Sequence, residues 1–207
     1  MTIRPGGNWG EVAAAPSTTT WCADESELAS RLATAGPGDI FGLLAGDVHT
    51  ILGRSPRTIK VTLDVVEVSF VRHRSARRES IACLSWLMLG SWQRSDPVVV
   101  LSNTGYVDTR EWFTKSHPND GRAEMAEISA EMSRRQRFMT LRRLHTGLSI
   151  THPLVSSRVV TTWEWSGKPS RLVVDGRHCG RVTEVSVAVK ADALAVYVGK
   201  PSLPAER

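Results

Sequence analysis

Apolar positions along this chain recur at two different periods, and the change from one to the other sets the expected layout. Residues 24 to 35 read as a helix: Asp24 can serve as N-cap, Glu27 follows three residues on, and Gly36 is placed to end it. Leu28, Leu32 and Ala35 then share one face. After a Gly-Pro-Gly turn, Ile40 to Leu44 is a short apolar run, and Asp47 to Leu52 reads as one or two helical turns closed by Gly53.

From Thr58 the period drops to two. Ile59, Val61, Leu63, Val65 and Val68 alternate as in a strand with one polar face, whereas Ser80–Leu89 and Pro97–Ser102 are continuously apolar, as in strands buried on both faces. A polar stretch at Gln93-Arg94-Ser95-Asp96 separates them, and Pro118-Asn119-Asp120-Gly121 spells a tight turn before a strand over residues 123 to 129. The helical period returns once. Ser133 and Gln136 form a capping box, Phe138, Leu141, Leu144 and either His145 or Leu148 supply an apolar stripe, and Gly147 is a natural stop. Four more strands follow at Ser157–Trp165, Arg171–Val174, Glu184–Val189 and Leu194–Val198. Many short strands around one long helix predict a mainly β, α+β fold: a β-sandwich with one crossing helix and a small N-terminal α/β segment, with no doubly wound sheet. The expected boundaries are 1–56 for the α/β segment, 57–200 for the sandwich and 201–207 for a tail.

Composition adds little to that outline. With 207 residues, 41% apolar and 23% charged, the chain can bury one core and lacks a disorder signature. No apolar run nears the ~18 residues of a membrane span, and Met1–Gly10 has neither a cationic nor an apolar signal region, so a cytosolic protein is expected. Cys22, Cys83 and Cys179 form no C-x-x-C pair and predict reduced, buried thiols. Lysine and arginine outnumber acids 26 to 21. The excess favours anionic partners or a solvated basic face.

Candidate chemistry is sparse. The six histidines include no i, i+4 pair and no Gly-x-Ser-x-Gly elbow occurs, which removes a zinc hydrolase and a serine triad. Trp163 and Trp165 alternate on one strand face and are expected to pack on the core or the helix, an exposed stacking pair being the alternative. Arg134, Arg135, Arg137, Arg142 and Arg143 surround the capped helix, and Arg72, Arg74, Arg77 and Arg78 form a second basic cluster. A basic amphipathic element suits an anionic membrane surface, with Arg134, Arg135, Arg142 and Arg143 as the contact set; solvated arginines on a packed helix are the plainer reading. No nucleic-acid-binding motif accompanies the charge.

Several islands in fixed order carry a family resemblance. They are Pro97-Val-Val-Val-Leu-Ser-Asn-Thr, His117-Pro-Asn-Asp-Gly-Arg-Ala-Glu-Met, Met132-Ser-Arg-Arg-Gln, Leu141-Arg-Arg-Leu-His-Thr-Gly, His152-Pro, Leu172-Val-Val-Asp-Gly, Val185-Ser-Val-Ala-Val and Ala193-Leu-Ala-Val-Tyr-Val. In this order they resemble the C-terminal domain of diacylglycerol kinases and sphingosine-kinase-like lipid kinases. Gly46-Asp-Val-His-Thr-Ile-Leu-Gly resembles the segment linking the two kinase domains. The resemblance implies the β-sandwich of the lipid-kinase and NAD-kinase C-terminal type, and places Asp120 in an Asp-Gly turn near a supporting magnesium site. An Asx-turn is the favoured explanation of Asp120, since no second carboxylate lies nearby in the sequence.

The resemblance also assigns Asp175 to a catalytic Asp-Gly-Glu triplet, in which two carboxylates serve metal-linked activation of a lipid hydroxyl. Here the triplet is Asp175-Gly176-Arg177, so a cation stands where the second carboxylate belongs and would repel the magnesium of phosphoryl transfer. A β-hairpin turn explains Asp175-Gly176 without any chemistry. The Gly-Gly-Asp-Gly-Thr nucleotide loop is absent, and neither Arg4-Pro-Gly-Gly-Asn nor Leu44-Ala-Gly-Asp-Val replaces it. The resemblance therefore implies a non-catalytic relative that binds a lipid or other amphipathic ligand or a membrane surface. The alternatives are a phosphotransferase with residual or partner-completed activity, and a basic scaffold for protein or nucleic acid.

Overall fold

The structure is a computed structural model that describes residues 9–53, 57–75, 77–93, 96–108, 110–144 and 152–199. It opens with strand β1 (Glu11–Val12) and continues through β2 (Thr20–Cys22), helix α1 (Glu25–Leu32), β3 (Phe41–Leu43) and α2 (Asp47–Ile51). β2 and β3 run parallel, and β3 runs parallel to the end of the last strand, β13 (Arg177–Val198). The α/β segment is thus hydrogen-bonded into the main sheet. α1 begins at its predicted N-cap: Glu27 N donates to Asp24 Oδ1 at 2.9 Å, and the Glu27 carboxylate reaches back one residue beyond the cap to accept from Ala23 N at 2.7 Å. It ends at Ala33 in right-handed helical conformation, before the expected Gly36 stop.

The remaining strands are β4 (Ile59–Arg72), β5 (Arg78–Cys83), β6 (Trp86–Leu89), β7 (Val98–Ser102), the short pair β8 (Tyr106–Val107) and β9 (Arg110–Glu111), β10 (Ala123–Ile128), β11 (Val155–Val160) and β12 (Thr162–Val174). One hydrogen-bonded path runs β1-β4-β13-β12-β6-β7-β10-β11, antiparallel throughout, with β5 added beside β4. Both layers of the sandwich come from this one sheet. Inward positions of β4 and β13 (Val66, Val68, Phe70, Val185, Val187) share a core with those of β6, β7 and β10 (Leu87, Leu101, Met125). The sheet can double back because β12 breaks register against β13 between Ser166 and Ser170, and β13 does so between Val182 and Glu184; such irregularities bend a strand and increase its twist.

Strand limits differ from the sequence expectation where a corner or bulge interrupts a uniform pattern. The expected strand Ser80–Leu89 is two strands, β5 and β6, turning at Leu84-Ser85. Conversely, the expected strands Glu184–Val189 and Leu194–Val198 are both parts of β13, since a register shift between Lys190 and Leu194 absorbs the polar interruption. Ser157–Trp165 divides at Thr161 into β11 and β12. Trp163 and Trp165 pack against the sandwich core as expected.

The long helix, α3 (Arg134–Leu144), starts at the predicted capping box: Gln136 N donates to Ser133 Oγ and Ser133 N to Gln136 Oε1. Its buried face keeps Leu141 of the predicted stripe and leaves Phe138 out. Arg137 and Thr140 are buried and Leu141 packs on the cluster of Val98, Val100 and Ile128, while Phe138 and Met139 point outward. Arg137, Thr140 and Leu141, at i, i+3 and i+4, share the buried face. His145, Gly147 and Leu148 lie outside the described residues. No described helix is long and apolar enough to cross a membrane.

Candidate functional site

In a parallel β–α unit a phosphate ligand lies beyond the strand ends, against helix N-termini whose first N–H groups lack internal partners. β2–α1 and β3–α2 form two such junctions side by side, and the chain's own carboxylates occupy both. At α1, Asp24 accepts from the Glu27 N–H of the first turn, while the Glu27 carboxylate accepts from Ala23 N, ahead of the helix, and pairs with Arg31. At α2, Val48 N donates to Glu25 Oε1 at 2.8 Å, the carboxylate reaching across from the first turn of α1. Gly46, at φ +105°, makes room for it: a Cβ there would collide with the Glu25 carboxylate. Glu25 is 5% exposed, and burial, opposed by the Val48 N–H and reinforced by nearby Asp47, pushes its carboxyl up to about 7. Asp47 accepts from the Ser85 hydroxyl and, at 3.4 Å, from Thr104 Oγ1; burial pushes its carboxyl up as well. Four carboxylates thus stand at the two junctions.

Asp175 lies nearby, in the turn joining β12 to β13. Val174 and Arg177 pair across Asp175 (φ +45°) and Gly176 (φ +77°), a two-residue hairpin loop with both central residues left-handed. The Asp175 carboxylate is turned inward and 5% exposed. Oδ2 accepts from Leu84 N at 2.8 Å, and Oδ1 from Ser85 N and Trp86 N at 2.9 Å each, with the Cys83 thiol at 3.5 Å. These bonds satisfy the corner between β5 and β6. Burial holds its carboxyl above the ordinary range, against the pull of the three N–H groups and of Arg177. Arg177 donates to Ser30 Oγ on α1 (3.2 Å) and to Ala82 O on β5 (3.0 Å), linking helix to sheet.

At the Pro118–Gly121 turn, Asp120 accepts from Arg122 Nε at 3.1 Å and from Arg122 N at 3.2 Å. The fold brings two carboxylates beside it that the linear sequence keeps distant. Asp64 is fully buried on β4, its oxygens accepting from Asp192 N (2.8 Å) and Gly121 N (2.6 Å), and Asn119 Nδ2 donates to Asp192 Oδ1 (2.9 Å). As arranged, these oxygens do not fit a magnesium ion: Asp120 faces a guanidinium and Asp64 faces N–H groups. Among the described residues no three His, Cys, Asp or Glu side chains form a metal-binding group.

Of the arginines singled out from the sequence, Arg134, Arg135, Arg142 and Arg143 are exposed on α3. Arg137 is 1% exposed and donates to the carbonyls of Met132 (3.0 Å), Asp96 (2.8 Å) and Ser129 (3.1 Å). In the second cluster, Arg72 pairs with Glu79 and Arg78 with Glu184. An open groove of about 790 Å³ lies between the β7–β10–β11 layer and the start of β12. Val98, Ile128, Leu154, Trp163 and Trp165 line it, with Glu127 and Arg158, paired at 3.0 Å, at its side. Sequence reasoning missed Glu25, Asp64 and the groove. Only Arg137 left a signal, its helical phase with Leu141.

No family model matches the chain, and no curated protein sequence does. Solved structures do match. Two, of Bacillus anthracis strain Sterne proteins assigned as diacylglycerol kinases, superpose with TM-scores of 0.61 and 0.60 at 8% and 10% identity, covering 89% and 90% of this chain and 78% and 80% of theirs. A third, of a diacylglycerol kinase from the same strain, gives 0.57 at 9% identity over 90% of this chain and 77% of that one. Such coverage of this chain is too large to come from the segment after residue 57 alone, so the β2–α1–β3–α2 unit takes part in the likeness. The mainly β architecture seen here is the diacylglycerol-kinase-like lipid-kinase fold.

Proposed function

We propose that the chain is a non-phosphorylating binding protein on the lipid-kinase fold, taking a lipid or other amphipathic ligand. One observation carries the first half: the helix N-termini at which a nucleotide's phosphates would rest already donate to the carboxylates of Asp24 and Glu25. A phosphate chain would have to displace a buried carboxylate and sit beside Asp47. Phosphoryl transfer draws its rate from positioning and from cations on the transferring group, and here the local charge is of the opposite sign. Asp175 bonds the β5–β6 corner instead of a solvent-facing cleft, and Arg177 adds a cation where a second metal-binding carboxylate is needed.

The second half rests on the groove. Its volume lies within the usual range for small-molecule sites of ~300–1,000 Å³, and an apolar floor beside a few charged side chains suits a ligand with one greasy and one polar part. Trp163 and Trp165 make it observable. Titration with dioctanoylglycerol, followed by tryptophan fluorescence, is expected to give a saturable change that Trp165→Leu weakens about tenfold or more. No saturable change, or one untouched by Trp165→Leu, removes the groove as the ligand site.

A further inference from the structure

The outward face of α3 carries two parallel ridges of the same design. Arg134, Phe138 and Arg142 follow at i, i+4 and i+8, and Arg135, Met139 and Arg143 repeat that order one residue on. All six are exposed, Phe138 at 60% and Met139 at 47%. Each ridge is therefore a large apolar side chain between two cations. The helix cannot roll to hide them. Arg137, on the opposite face, bonds the carbonyls of Met132, Asp96 and Ser129, and a quarter turn would leave those acceptors and a guanidinium unpaired.

Solvent alone does not favour Phe and Met at the centre of an exposed helix face. A nucleic acid would use the arginines, yet phosphate contacts give no reason to set Phe138 and Met139 between them. An interfacial helix uses both: apolar side chains enter the boundary between headgroups and acyl chains, and cations bind lipid phosphates with ~1 kcal/mol each near an anionic surface. Among the described residues Arg134, Arg135 and Arg142 form no ion pair, so their charge is available to a partner. Arg72 and Arg78, by contrast, are already neutralised by Glu79 and Glu184.

We propose that α3 docks the protein on an anionic lipid bilayer, Phe138 and Met139 inserting and Arg134, Arg135, Arg142 and Arg143 contacting headgroup phosphates. This surface is distinct from the groove and does not require the groove to hold a ligand. The test is sedimentation of the full chain with vesicles of phosphatidylcholine and of equimolar phosphatidylcholine and phosphatidylserine. Binding is expected only to the anionic vesicles, weakening steeply with salt. It should fall about tenfold or more both in Phe138→Ser/Met139→Ser and in the variant with all four outer arginines replaced by Gln. Unchanged thermal melts check that both variants fold, and an unchanged dioctanoylglycerol titration separates this surface from the groove. Equal binding to both vesicles, no binding to either, or anionic-vesicle binding that survives Phe138→Ser/Met139→Ser overturns the proposal; in the last case the face is a general polyanion surface.

Discussion

The corner held by Asp175 and the seat held by Arg137 solve opposite problems with buried charge. At the corner between β5 and β6 the chain leaves three N–H groups pointing inward, and one carboxylate collects them. Under α3 the surplus is of carbonyls, from Ser129, Met132 and Asp96, and one guanidinium collects those. In both places the charge serves the backbone, and read from the sequence alone both residues invite a functional assignment, Asp175 as a catalytic carboxylate and Arg137 as part of a basic surface. The hydrogen-bond partners add what the motif alone lacks, the backbone groups that each charge holds.

The sharpest way to break the comparison is to remove each charge. Asp175→Ala strands three buried donors and is expected to cost roughly 4 kcal/mol in urea unfolding, since each unsatisfied donor costs ~1–3 kcal/mol. Arg137→Ala leaves carbonyls, which tolerate loss of a partner better, and is expected to cost roughly 3 kcal/mol. Arg137→Lys should recover only part of this, a single ammonium being unable to reach carbonyls that the planar fork bonds together. Arg134→Ala, one turn earlier on the outer face, should stay within ~0.5 kcal/mol of the parent. Equal costs for Arg134 and Arg137 would remove the distinction between outer and inner arginines.

A smaller effect tests the carboxylates at the α1 and α2 junctions. Glu25 is raised from its ordinary 4.5 to about 7, so between those values the folded chain holds a proton that the unfolded chain has released. Stability is therefore expected to fall as pH rises across that window. Asp47, Asp64 and Asp175 are also raised by burial and add slope of the same sign. Glu25→Gln keeps an oxygen for Val48 N but cannot ionise, and should flatten the upper part of the window. Melting temperature against pH for the two proteins reads this directly; parallel profiles would place the Glu25 carboxyl back in water.

Most of the fold was legible because its signals are local. The Asp24 N-cap, the Ser133 capping box, the alternation from Ile59 onward and the Asp175-Gly176 hairpin each act within a few residues, and each appears where the sequence places it. What escaped was set by contacts between distant segments. β13 runs on past Lys190–Asp192 because β4 pairs with it on both sides of a bulge, Val65 opposite Lys190 and Leu63 opposite Leu194. The carboxylates of Asp64 and Asp192 meet the Asp120 turn only once β4 and β13 are paired. Glu25 reaches α2 because β2 and β3 are neighbours, a relation that no spacing along the chain encodes.

Isothermal titration of the full chain with ATP and magnesium at pH 7 tests the proposed absence of a nucleotide site most directly. With Asp24 and Glu25 on the helix N–H groups, no saturable heat is expected. Saturable binding of ATP that is lost on Asp175→Asn would contradict the non-phosphorylating reading and return the chain to the kinases whose fold it shares.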